Sequence, residues 1–157
     1  MHLTMAVGSL FLLETLSAGT ARGLRDDMIA AHNEVRRSSG VPPITWSDDL
    51  AQEARKWAEH LIASGQFSHR PNNNYGENLY EMDGGTATPS DVVEAWASER
   101  RYYNHARNTC SGRCGHYTQV VWRDTTRIGC GVARDRRREV WVCNYEPPGN
   151  IIGERPY

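Results

Sequence analysis

Four cysteines constrain this chain more than any other feature. Three of them, with one histidine, sit inside CSGRCGHYTQVVWRDTTRIGC at 110–130, and the fourth is Cys143. Zinc knuckles and thiol redox centres usually place two cysteines two residues apart, and no Cys-x-x-Cys occurs here. Cys110 and Cys114 are too close in sequence to close a large loop, and the chain-entropy model gives such a bridge only about 2 kcal/mol. A Cys130–Cys143 bridge would staple a hairpin and be worth about 3 kcal/mol on the same model. Four cysteines of this kind read as two disulfides, scaffold rather than chemistry, and they predict a secreted, extracellular protein.

The N-terminus agrees with that reading. MAVGSLFLL at 5–13 is short enough for the apolar part of a signal peptide and too short to span a bilayer, and Gly19-Thr20-Ala21 supplies small residues for cleavage. Residues 1–21 are therefore expected to be a signal peptide and 22–157 a single domain. The formal charge of −1 becomes neutral without that segment, because Glu14 is its only charged side chain. A neutral domain gives no electrostatic basis for a nucleic-acid partner. Arg134 with Arg136, Arg137 and Arg138 reads as a solvated turn.

Periodicity predicts three helices. The first covers 26–38, with Asp26 and Asp27 at its positive end and Gly40 beyond it. The second begins after Ser47 as N-cap, carries Leu50, Ala54, Trp57, Ala58 and Leu61 on one stripe, and stops at Gly65. From 66 to 89 turn residues dominate and a loop is expected. The third helix starts at TPSD, with Thr88 as cap, Pro89 at N1 and Asp91 completing a capping box. Its stripe of Val92, Trp96 and Tyr103 also carries Glu99, a carboxylate on an apolar face. Beyond it, Ile128, Cys130 and Val132 alternate as a strand, and EVWVCNY resumes after the arginine turn. If Cys130 lies opposite Cys143, positions 134 and 139 are opposed and four residues connect the strands. These elements predict an α+β fold, with helices covering a small antiparallel sheet.

The motifs themselves are familiar. GHYTQVVW (115–122) and CNYEPPGN (143–150) closely resemble the two signatures of the CAP superfamily of cysteine-rich secretory, antigen 5 and pathogenesis-related class 1 proteins. HNEVRR (32–37), WSDDLAQEARKWA (46–58), FSHRPNNNYGENLY (67–80) and VVEAWASERRYYNHARNTC (92–110) match in order, and the chain is most similar to the plant-type class 1 branch. The resemblance implies an α-β-α sandwich and the pairing Cys110–Cys114 and Cys130–Cys143. That branch carries a third bridge, whose two halves would fall near Phe67 and Asp135 and are both missing here. The cysteine-rich module of venom and sperm members, and the ion-channel activity that goes with it, are not expected.

The resemblance also implies a cleft holding His69, Glu77, Glu99 and His116. Imidazoles with carboxylates suit a divalent ion, Zn²⁺ above others, with an open position for water. Two functions follow. One is a defence-related or lipid-binding module, taking a sterol or fatty acid near the Arg101–Gly112 segment, with no catalytic residue and the protein taken as a monomer. The other is a metal-dependent hydrolase in which a spare glutamate acts as base. Neither a His-Glu-x-x-His helix nor a Gly-x-Ser-x-Gly elbow is present, so the enzyme reading is the weaker.

Overall fold

Strand β6 (Arg138–Glu146) divides the molecule, because its side chains alternate between two cores. Val140 and Val142 pack with Ala54, Ala58, Leu61 and Leu79 on one side. Trp141, Cys143 and Tyr145 pack with Met28, Val92, Trp96, Tyr117 and Ile128 on the other. The structure is a computed structural model that describes the backbone of residues 10–157 and the side chains of residues 23–157. Residues 1–9 of the expected signal peptide lie outside the described residues.

Helix α1 (Leu10–Ser38) starts well before the expected position 26, so Asp26 and Asp27 fall mid-helix and no acidic residue occupies its first turn. It stops where the sequence predicts, at a turn in which Gly40 adopts φ +70°. Helix α2 (Asp48–Ser64) is capped by the Ser47 side chain at Leu50 N and closed by Gly65 at φ +68°. Helix α3 (Pro89–Ala97) has the full capping box of Thr88 and Asp91. It does not run on to Tyr103: a 3₁₀ turn over Ser98–Tyr102 takes over, and Glu99 sits in that turn. Helix α4 (Gly115–Val120) holds the histidine of the opening stretch.

The expected loop at 66–89 contains a strand, β2 (Gly76–Asp83), paired antiparallel along its whole length with β6. β5 (Arg127–Arg134) and β6 form the predicted hairpin in the predicted register, Cys130 opposite Cys143 and Arg134 opposite Glu139. A two-residue strand, β1 (Thr45–Trp46), adds to β5 in parallel, so the sheet is mixed rather than purely antiparallel, in the order β1-β5-β6-β2. The parallel edge is reached because α2 and everything up to α4 intervene between β1 and β5, far more chain than such a crossover needs. A separate short hairpin pairs β3 (Tyr103–Asn104) with β4 (Thr109–Cys110).

Helix α2 covers one face of the sheet, and α1, α3 and α4 cover the other, which gives the expected α-β-α sandwich. Both expected disulfides are present, Cys110–Cys114 and Cys130–Cys143. No helix among the described residues is long and apolar enough to cross a membrane.

The arginine turn is only partly a solvated turn. Asp135 accepts from the backbone N–H of Arg137 and Arg138, as turn chemistry requires. Arg134, however, is paired with the buried Glu139. Arg138 is paired with Glu81 and also donates to Leu61 O at 3.3 Å and Gln66 O at 2.9 Å. Arg138 therefore ties the hairpin tip to the chain leaving α2, in the neighbourhood where the missing third bridge would have stood.

Candidate functional site

Each of the two histidines is held by a carboxylate. His69 lies in the loop after α2, where the Trp57 indole donates to Ser68 O at 3.1 Å. Its Nδ1 donates to Glu77 Oε1 on β2 at 2.7 Å. The same Oε1 accepts from Arg70 N, and Oε2 accepts from Asn73 Nδ2. The Glu77 hydrogen bond pushes the His69 pKa above its ordinary value, against some desolvation. On the other side, His116 Nδ1 donates to Glu99 Oε1 at 2.8 Å, while Glu99 Oε2 accepts from His116 N at 2.9 Å and Tyr117 N at 3.4 Å. The His116 ring also stacks on Trp96, with centroids 6.3 Å apart.

His69, Glu77 and His116 line one open cleft of about 430 Å³, shared with Phe67, Arg113 and Asn150. Glu99 does not reach the cleft wall; it stands behind His116 and fixes its ring and main chain. The four residues come together as two His–carboxylate pairs, not as four ligands around a point. Both oxygens of each carboxylate already accept hydrogen bonds. With Nδ1 donating, each neutral imidazole keeps its Nε2 lone pair for a ligand. Among the described residues no three His, Cys, Asp or Glu side chains are arranged to hold a metal ion. A four-side-chain zinc centre does not fit this geometry, and the two Nε2 atoms are the donors that the His–carboxylate pairs leave for a ligand.

Sequence reasoning assigned no role to the residues behind the cleft. Asn78, next to Glu77 on β2, donates from Nδ2 to His116 O at 3.1 Å and to the Tyr145 hydroxyl at 3.2 Å. That hydroxyl lies 2.9 Å from Nε2 of His32, which is fully buried on α1. Burial lowers the His32 pKa to about 4, so the ring is neutral at ordinary pH. Arg36, one turn further along α1, is also fully buried. Its guanidinium donates to Pro42 O, Val120 O, Trp122 O and Thr125 O at 2.7–3.0 Å, so it holds the C-terminal end of α4. Only the HNEVRR motif, which contains both residues, hinted at them.

The expected lipid segment, Arg101–Gly112, forms the β3–β4 hairpin, and the C-terminal tail packs on it. His105 Nε2 donates to Tyr157 O at 2.6 Å, Asn108 Nδ2 to Glu154 O at 2.9 Å, and Arg123 N to Pro156 O at 2.7 Å. Ile151 and Ile152 are both exposed, Ile152 fully, and the tail is held by these polar contacts and by the Tyr157 ring stacked on His105. A crevice of about 210 Å³ lies there. A larger apolar groove, about 520 Å³, lies elsewhere, lined by Leu24, Trp46, Ala51, Arg55 and Val132 and sharing no residue with the histidine cleft.

Comparison with known proteins places this architecture. The family model for the cysteine-rich secretory protein family, CAP, matches residues 29–145. Pathogenesis-related protein 1A of Nicotiana tabacum is 43% identical over 157 residues, 98% of this chain and 93% of the relative. Pathogenesis-related protein 1 of Arabidopsis thaliana is 41% identical, covering 87% and 84%. Among solved structures, venom allergen-like protein 4 of Schistosoma mansoni superposes with a TM-score of 0.67 at 26% identity, covering 85% of this chain and 92% of that one. NaASP2, crystallised with Zn²⁺, gives 0.69 at 22% identity, covering 85% and 84%. With its sandwich, its two disulfides and its paired histidines, the chain belongs to the cysteine-rich secretory protein (CAP) family.

Proposed function

We propose that this chain is a secreted, defence-related CAP protein whose cleft takes up a divalent cation through Nε2 of His69 and His116. The observation that carries the reading is the pair of Nδ1–carboxylate bonds, which orient both rings as outer partners of metal-bound histidines do. The names of the tobacco and Arabidopsis relatives support the defence role, and NaASP2 with Zn²⁺ supports the cation. A hydrolase would need a free carboxylate as base, and Glu77 and Glu99 both spend their oxygens on hydrogen bonds, so binding is the better reading.

Calorimetry with Zn²⁺ is expected to give saturable uptake that is lost in His69→Ala/His116→Ala. Protons compete for the same nitrogens, and the imidazolium form of His69 is stabilised by Glu77. Uptake therefore weakens as pH falls, beginning above the value of about 6.5 at which an ordinary histidine titrates. Equal weak binding in wild type and double variant would leave the pairs as a polar cluster that orders the cleft.

A second reading rests on the apolar groove. We infer that a sterol or fatty acid lies along Leu24, Trp46, Ala51 and Val132 rather than at the Arg101–Gly112 hairpin, because this groove is roomier and its exposed wall is mostly apolar, with Arg25, Asp48, Gln52 and Arg55 as its polar members. Labelled sterol is expected to bind saturably to wild type and Glu99→Ala alike, and to be blocked by Ala51→Phe, which fills the groove. No saturable uptake in wild type removes the lipid reading.

A further inference from the structure

We propose that His32, Tyr145 and Asn78 form a directed hydrogen-bond relay that positions His116, which makes all three positioning residues for the cleft. The proposal rests on the cation reading above only for its link to binding; the relay itself is a matter of geometry.

The direction of every bond is fixed from one end. Met28 O can only accept, and it lies 2.8 Å from His32 Nδ1, so the proton of the neutral ring is on Nδ1. His32 Nε2 must then accept from the Tyr145 hydroxyl. The Tyr145 oxygen in turn accepts from Asn78 Nδ2, whose second hydrogen goes to His116 O. No member can reverse without leaving a buried donor or acceptor unpaired, which costs about 1–3 kcal/mol. His32, Asn78 and Tyr145 are all at most 1% exposed, so water does not compete.

His116 needs such support. α4 has six residues, and its N-cap, Cys114, makes no side-chain capping bond. A helix this short does not hold itself. Its first turn is held from outside: Glu99 takes His116 N, Asn78 gives to His116 O, and Asn150 gives to Gly115 O at 2.9 Å. The main chain of His116 is thus gripped at both polar atoms by side chains of other elements. The grip at the carbonyl traces back to α1 through β2 and β6.

Tyr145→Phe removes one hydroxyl and little volume, and Asn78→Leu removes both donors. Leu61→Ala, in the other core, serves as a control that lowers stability without touching the relay. In Tyr145→Phe and Asn78→Leu the amides of His116 and Tyr117 are expected to exchange with deuterium at least tenfold faster relative to the slowest core amides. Zn²⁺ affinity should fall about tenfold, in the range seen when outer partners of a ligand are removed. Leu61→Ala should speed exchange broadly and leave Zn²⁺ affinity unchanged. His32→Gln, able to donate to Met28 O and accept from Tyr145, should preserve the wild-type pattern, and His32→Leu should not. If wild type takes up no Zn²⁺, the cation reading falls and the exchange pattern alone decides the relay. Exchange at His116 and Tyr117 that is unchanged in Tyr145→Phe and Asn78→Leu, or raised equally by Leu61→Ala, overturns the positioning role.

Discussion

Replacing Arg36 by Met is expected to lower the stability of the domain by about 4 kcal/mol, on the order of 12 °C in melting temperature. The guanidinium is fully buried and faces four main-chain carbonyls within 3.0 Å, with no carboxylate among its partners. Desolvation lowers its pKa to about 10, which leaves it charged at neutral pH. A thioether fills much of the same space, but it abandons Pro42 O, Val120 O, Trp122 O and Thr125 O together. Where a buried ion pair is exchanged for apolar side chains both charges leave; here the acceptors stay behind, so the exchange cannot be neutral. Arg36→Lys separates charge from geometry. A single ammonium cannot span carbonyls from two segments, so most of the loss should persist. Chemical denaturation of the three proteins tests this, and a loss below about 1 kcal/mol in Arg36→Met would show that water replaces the fork.

Gly131→Ala comes next, with an expected loss of about 3 kcal/mol, at the upper end for an overpacked core. A Cβ on Gly131 would stand 2.4 Å from Arg55 Cα and 2.5 Å from Arg55 N. On Gly129 it would stand 2.1 Å from Ala51 N. These are backbone atoms of α2, so no rotamer change relieves the contact and the whole helix must withdraw. Withdrawal also opens the contact of Ala54, Ala58 and Leu61 with Val140 and Val142. Thermal melts of Gly129→Ala and Gly131→Ala should both shift downward; wild-type stability in both would mean that α2 can move off the sheet at little cost.

What the sequence made legible was whatever is decided locally. The Ser47 cap, the Gly65 stop and the Thr88–Asp91 box depend on side chains within a few residues of one another, and each is found where expected. The β5–β6 hairpin was readable because a period of two and a cysteine pair agree on its register. β2 was not, since YGENLYEMDGG is polar and rich in turn residues and becomes a strand through its ladder with β6. β1 is two residues long, and α4 is helical in a stretch of β-branched and aromatic side chains because other elements hold it. Glu99 was flagged by helical periodicity, yet the helix tightens before reaching it. The tetrad came from family likeness alone. The relay was out of reach: His32 and Tyr145 are 113 positions apart, and no local pattern joins them.

The Arg138 clamp has a consequence for the conditions under which this protein keeps its shape. A covalent link between the chain after α2 and the hairpin tip would respond to thiol reductants and to the oxidising poise of the compartment. An arginine shared among Glu81, Leu61 O and Gln66 O ignores both. It responds instead to electrolyte, because added salt screens a charge pair within a few ångströms of the surface. At that corner of the molecule, the chain answers to the ionic make-up of its surroundings where a bridged relative would answer to their redox state.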